Sequence, residues 1–153
     1  MKKRLVVFVL ILICVLSLII YNSVLPDKQM VSDGNVYSDI DGISVKVESV
    51  RTYPDITTLI VSWNNETEYT VTYGEPYWIE RLENGEWVDC SLKDNIFILI
   101  GYTLKAGEKV DKEYRLTDMY DVSRKGTYRF SSTCSVDEGE RKECSVWAEF
   151  VID

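Results

Sequence analysis

Hydrophobic positions along this chain follow two patterns. From Leu5 to Leu25 the chain is mostly apolar and carries no charge. From Ile43 onward apolar residues alternate with polar ones, and Ile43, Val45 and Val47 begin the series. A period of two is typical of strands that bury one face. The pattern therefore predicts an apolar N-terminal segment, followed by an all-β domain over residues 43–153.

The sharpest local feature is a hairpin turn at Asn84-Gly85. A type I′ turn needs positive φ at both central residues, which Asn and Gly tolerate best, and β-forming aromatic residues lie on both sides. The run Ile96–Ile100 is apolar throughout, which favours a strand buried on both faces. Gly126-Thr127-Tyr128 is typical of a tyrosine corner at the start of a late strand. Strands are predicted near 43–48, 59–63, 71–82, 86–92, 96–100, 110–116, 128–136 and 144–152.

The N-terminal segment has the length of a membrane anchor. Residues 5–25 number 21, which at about 1.5 Å per helical residue spans a hydrocarbon core of about 30 Å. Three cations precede the segment, which predicts a cytoplasmic N-terminus and an extracytoplasmic remainder. Residues 1–25 are thus expected to form an uncleaved single-pass anchor. A cleaved signal peptide, which would release a secreted protein, and a lipoprotein at Cys14 are the alternatives. The polar, turn-rich residues 26–42 are expected to form a tether.

The charge and residue types exclude several classes of function. The whole chain has a formal charge of −8, and without Lys2, Lys3 and Arg4 the remainder carries −11. Such a surface repels a phosphate backbone, so nucleic acid is not expected as a partner. The chain has no histidine, which removes Ser-His and Cys-His dyads and most zinc sites. We therefore expect no enzyme activity, catalytic residue, cofactor or metal site.

Three cysteines lie in the expected extracytoplasmic part, where disulfides form. Cys134 and Cys144 flank the charged loop 137–142 at similar distances. They are expected to face each other across a hairpin and to form a disulfide. Buried free thiols are the alternative, and Cys90 would remain unpaired.

A series of short motifs resembles a known family. The motifs are Val61-Ser62-Trp63-Asn64-Asn65, Thr72-Tyr73-Gly74-Glu75-Pro76-Tyr77, Asn84-Gly85-Glu86-Trp87, Tyr102-Thr103-Leu104-Lys105-Ala106-Gly107-Glu108 and Gly126-Thr127-Tyr128-Arg129. In this order, over residues 43–130, they resemble a bacterial Ig-like domain family of Firmicutes surface proteins. The resemblance implies an Ig-like antiparallel β-sandwich of about 7–9 strands on the outer face of a bacterial membrane or wall. It supplies no catalytic residues.

These observations predict a membrane-anchored, extracytoplasmic binding module whose partner is an unknown protein or component of the cell envelope. Candidate ligand contacts are the aromatic residues Tyr73, Tyr77, Trp78 and Trp87, for which core packing is the alternative role. The alternative function is that of a structural or accessory subunit in a membrane protein complex.

Overall fold

The computed structural model describes residues 13–15, 17, 27–30, 34–53, 56–93 and 96–153. Within these ranges the chain forms ten strands, and every strand pair is antiparallel. This confirms the all-β prediction. The strands are β1 (Asp27–Met30), β2 (Val36–Ser38), β3 (Ile43–Thr52), β4 (Thr57–Asn65), β5 (Thr70–Glu83), β6 (Glu86–Asp89), β7 (Gly101–Leu104), β8 (Lys109–Arg115), β9 (Gly126–Asp137) and β10 (Arg141–Ile152).

The strands form two sheets of unequal width. The narrow sheet has the order β1-β3-β4-β8, and the broad sheet has the order β2-β10-β9-β5-β6, with β7 also paired to β5. Strand β5 is long enough to hold two partners on one edge. It pairs with β7 over residues 71–74 and with β6 over residues 80–83, and between them its register with β9 shifts. The shift separates the two partners along that edge.

The structure confirms the hairpin predicted at Asn84-Gly85. The two turn residues have φ values of 52° and 89°, which is the positive region that a type I′ turn requires. The strands on either side pair in register, with Leu82 opposite Trp87. This turn fixes which face of the broad sheet carries the Trp87 side chain, because a slip of one residue would move it to the other face.

Aromatic side chains fill the core between the sheets. Trp63 is fully buried, stacks on Tyr73 with ring centroids 4.3 Å apart, and donates its indole N–H to the Tyr114 hydroxyl at 2.9 Å. The Tyr128 hydroxyl donates to the carbonyl oxygen of Arg124 at 2.5 Å. This bond is the tyrosine corner that the Gly-x-Tyr motif predicts.

Two short strands lie inside residues 26–42, the range expected to form a tether. Strand β1 pairs with β3, and β2 pairs with β10, so both extend the sheets. Edge strands bind through main-chain N–H and C=O groups and need no alternation of apolar residues. A short polar segment can therefore join a sheet without the sequence pattern that identifies the other strands.

The prediction of a buried strand at Ile96–Ile100 is wrong. The segment forms no strand, and the exposed fractions of Ile96 and Leu99 are 93% and 96%. It connects β6 to β7, which pair with the same edge of β5 over residues 80–83 and 71–74, and it lies beside the register shift of β5. Phe97 is the exception, since its ring packs against Tyr77 at 5.4 Å.

The anchor predicted over residues 1–25 lies almost entirely outside the described residues. Residues 13–15 and 17 are described, and they are helical. In the described part of the chain, we find no helix with the length and hydrophobicity needed to cross a bilayer.

Candidate functional site

The outer face of the broad sheet carries a row of aromatic residues. Tyr37 on β2 lies opposite Trp147 on β10, which lies opposite Ser131 on β9, which lies opposite Trp78 on β5. Residues in direct register project from the same face of a sheet. The neighbours of Ser131 along β9 are buried, so this row faces away from the core. Tyr37 and Trp78 are 47% and 43% exposed.

An arginine joins this row to a further tryptophan. The guanidinium carbon of Arg129 lies 4.5 Å from the ring centroid of Trp87 and 5.6 Å from that of Trp147. Trp147 in turn stacks on Tyr37, with centroids 5.5 Å apart and planes inclined by 15°. Cation–π contacts of this kind contribute about 0.5–1 kcal/mol each at exposed sites. We call the surface formed by Tyr37, Trp78, Trp87, Trp147, Ser131, Arg129 and Glu80 the aromatic face.

Glu80 holds the arginine in position. Its carboxylate accepts two hydrogen bonds from Arg129, at 2.6 and 2.9 Å from the two donor nitrogens. The residues face each other directly on β5 and β9. Both nitrogens donate to the same oxygen, Oε2, which holds one edge of the guanidinium group against Glu80 and its face near the two indole rings.

Strand β9 forms the floor of a trough across this surface. Its residues on this side beyond Arg129 are small and carry hydroxyl groups: Ser131, Thr133 and Ser135, of which Thr133 is exposed and Ser135 is only 6% exposed. Trp78 and Trp147 flank the first of them on neighbouring strands. Further along, the trough opens into a depression of about 250 Å³, whose lining includes Thr72, Leu99, Ile100, Thr133, Ser135, Arg141 and Glu143. We call this feature, from Ser131 to Ser135, the β9 trough.

Each arginine beside the trough lies against a carboxylate. Besides the Arg129–Glu80 pair, Arg141 lies 3.3 Å from the carboxylate of Glu143. Glu149 accepts a hydrogen bond of 2.9 Å from the neutral side-chain amide of Asn35. The surface thus combines aromatic rings, hydroxyl groups, two paired arginines and a carboxylate bonded to an amide.

The four predicted contact residues separate into two pairs. Trp78 and Trp87 lie on the aromatic face, whereas Tyr73 and Tyr77 lie in the core with 5% and 4% exposure. Tyr77 precedes Trp78 directly in a strand, so the two side chains point to opposite faces. Trp147 was missed, although its position between the inward residues Val146 and Ala148 already indicates an outward side chain.

The two cysteines predicted to pair are directly opposite each other. Cys134 and Cys144 are register partners on β9 and β10, both buried on the inner face. Their thiols are free, and the Cys134 thiol donates a hydrogen bond that lowers the pKa of Cys144. The hydroxyl oxygen of Ser38 lies 3.7 Å from the Cys144 sulfur. The disulfide itself stays a prediction, and the register supplies the neighbourhood that it needs.

A buried lysine occupies a separate cluster at the edge of the sandwich. The Lys112 ammonium lies 3.2 Å from a carboxylate oxygen of Glu75 and 3.7 Å from the ring centroid of Tyr102. The Tyr114 ring centroid is 4.9 Å away. Burial lowers the pKa of Lys112, while Glu75 opposes this effect. Rings and a carboxylate surround the cation, which gives it a structural role in the core.

In the described residues, no group of three or more Cys, Asp or Glu side chains is arranged to hold a metal ion. No curated protein matches the chain. The family model for the bacterial Ig-like domain matches residues 39–150, which includes the β9–β10 hairpin beyond the motifs noted in the sequence. The chain therefore belongs to the bacterial Ig-like domain family.

Proposed function

We propose that this chain is a non-enzymatic binding module whose ligand contacts the aromatic face. The observation that carries the proposal is the position of the tryptophans. Three of the four, Trp78, Trp87 and Trp147, lie on the outer face of one sheet, while Trp63 fills the core. Trp78 is 43% exposed, Trp87 and Trp147 are half-buried, and tryptophans at a protein surface are enriched in binding sites. Membership in the Ig-like family supports an interaction role.

The module is further proposed to stand on the outer side of a cell membrane, anchored by residues 5–25. The length and hydrophobicity of that segment and the three cations before it support this location. The test is the mass of the chain recovered from washed membranes. An intact N-terminus supports the anchor, whereas a chain that begins after residue 25 refutes it.

A second candidate function is that of an accessory subunit. The exposed aliphatic residues between β6 and β7 favour it, since contiguous exposed apolar side chains mark sites of protein contact. Ile96, Ile98, Leu99 and Ile100 are 93%, 67%, 96% and 43% exposed. We call this the aliphatic segment. It would bury its side chains against an apolar surface of a partner protein.

One crosslinking experiment separates the two functions. Full-length protein would be crosslinked in intact cells and purified, and the molecules captured with it would be identified by mass spectrometry. The wild type would be compared with two double variants. Trp78→Ala with Trp147→Ala should abolish capture if the aromatic face binds. Ile96→Ser with Ile98→Ser serves as the matched control, because neither side chain lines the depression, and it should abolish capture only for an accessory subunit. Capture that survives both double variants would refute both functions.

A further inference from the structure

We infer that the aromatic face binds a neutral glycan chain, which lies in the β9 trough between Trp78 and Trp147. This inference rests on the binding function proposed above and names the chemical class of the ligand. Nothing in the family match assigns a ligand. Three properties of the trough lead to it: the state of its backbone, its charge balance and the side chains that line it.

The backbone at the floor of the trough is already paired. Strand β9 pairs with β10 over its full length and with β5 on the other side, except at the register shift of β5. An extended peptide adds to a sheet through free N–H and C=O groups at an edge. The middle of β9 offers no such edge, so a ligand there must be recognised by side chains.

The charge balance of the trough disfavours an ionic ligand. Arg129 is held by Glu80, and Arg141 lies 3.3 Å from Glu143, so an anion would have to compete with a carboxylate for either cation. The domain as a whole is acidic, which further repels a polyanion. A cationic ligand is attracted by the acidic domain, but at the trough it would have to compete with Arg129 for Glu80 and with Arg141 for Glu143. A neutral ligand meets none of these costs.

The side chains match the two kinds of surface that a sugar ring presents. The flat C–H face of a pyranose packs against an indole ring, and its rim of hydroxyl groups needs partners that both donate and accept. Serine and threonine hydroxyls do both. Ser131 provides one on the floor, between Trp78 and Trp147 on the adjacent strands, and Thr133 provides another two residues further along β9.

The dimensions favour an oligosaccharide over a single sugar. At about 4.8 Å between strands, the backbones that carry Trp78 and Trp147 are roughly 10 Å apart. Along β9, the distance from Ser131 to Ser135 is about 13 Å at roughly 3.3 Å per residue. The trough then continues into the depression of about 250 Å³. Several linked sugar units fit along this path.

The test is a titration of the full-length protein, held in detergent micelles, with soluble chitin oligosaccharides and, separately, cello-oligosaccharides. We expect saturable binding of at least one series, with an affinity at least tenfold above that of its monosaccharide. Trp78→Ala and Trp147→Ala should each weaken binding at least tenfold. Ser131→Leu should do the same, because it fills the floor and leaves both rings in place. Ile96→Ala, on the aliphatic segment, should bind like wild type, and equal thermal midpoints would show that the variants fold.

Three outcomes would overturn the inference: no binding of either series, binding that survives both tryptophan variants, or a self-association of the protein that the tryptophan variants abolish. The crosslinking experiment separates this failure from failure of the proposed function. If capture in cells depends on Trp78 and Trp147 while neither oligosaccharide binds, the binding function stands and the glycan is refuted. If capture does not depend on them, the proposed function fails.

Discussion

Lys112 and Glu75 form a buried ion pair, and we expect removal of the lysine and removal of the glutamate to change the free energy of unfolding by different amounts. Glu75→Gln takes away the carboxylate that lies 3.2 Å from the Lys112 ammonium. Lys112→Met takes away the cation and keeps an unbranched chain of similar length among the rings. The lysine and glutamate side chains are only 13% and 25% exposed, so water can compensate little for a lost partner. Glu75→Gln should therefore be the more damaging change.

The expected magnitude follows from the separation of the charges. At 3.2 Å and an effective dielectric constant of about 20, the attraction is about 5 kcal/mol. Removing one partner of a fully buried pair costs about 3–5 kcal/mol, whereas replacing both partners by packed apolar side chains is often neutral or stabilising. Because Glu75 is partly exposed and the rings of Tyr102 and Tyr114 stabilise the cation, we expect Glu75→Gln to lower the free energy of unfolding by about 2–3 kcal/mol.

Lys112→Met should be within about 1 kcal/mol of wild type, because Glu75 is the more exposed partner and keeps the hydrogen bond from the Tyr102 hydroxyl. Burial lowers the pKa of Lys112 below its ordinary value of 10.5, so the unfolded chain binds more protons between the two values. The cost of burying the charge is present at neutral pH and disappears above pH 10.5. The free energy of unfolding of Lys112→Met, relative to wild type, should therefore decrease as the pH rises from the lowered pKa of Lys112 to 10.5. Neighbouring tyrosines titrate in the same range, so the difference between variant and wild type is the quantity to follow.

The assay is urea unfolding of both single variants and the double variant, followed by tryptophan fluorescence. The double variant should recover most of the stability that Glu75→Gln loses, since no buried cation remains. A loss of more than about 2 kcal/mol in Lys112→Met, together with a loss below about 0.5 kcal/mol in Glu75→Gln, would refute the reasoning.

Three further outcomes are expected. Tyr128→Phe should cost about 1 kcal/mol in urea unfolding, because it removes the hydrogen bond of the tyrosine corner and keeps the ring; an unchanged midpoint would contradict this. Protein isolated without reductant should contain a Cys134–Cys144 disulfide, seen as a mass two hydrogens below that of the reduced chain, and Cys134→Ala should abolish the difference. Leu99→Ser should leave the thermal midpoint unchanged within error, since the side chain is 96% exposed; a clear drop would mean that the aliphatic segment packs in solution.

Turn preferences and the alternation of apolar and polar residues were sufficient to predict much of the sandwich. The Asn84-Gly85 turn and the inward positions of Trp63 and Tyr128 follow from turn preferences and a period of two, and the structure agrees with them. Alternation also separates Trp78 from Tyr77, a distinction that a list of aromatic residues overlooks. These features depend on neighbours in the sequence, which is why they could be predicted.

The features that could not be predicted depend on partners distant in the sequence. Strand β2 exists because β10 offers it a free edge, and this brings Tyr37 onto Trp147. The aliphatic segment has a pattern suited to a buried strand, yet β5 is already occupied on either side of it by β6 and β7. The position of Arg129 between Trp87 and Trp147 likewise required the register of three strand pairs.

Strand β1 bears on how far the domain can stand from a bilayer. Its pairing with β3 begins at Asp27, and only Pro26 separates that residue from Leu25, the last residue of the proposed anchor. An extended residue covers at most about 3.6 Å, so the linker between the sheet and the membrane would be shorter than about 10 Å. A flexible tether over all of residues 26–42 would instead allow the domain to move much farther from the membrane. With β1 in place, the domain would rest almost on the headgroups, and any ligand would have to enter the thin layer beside the membrane to reach it.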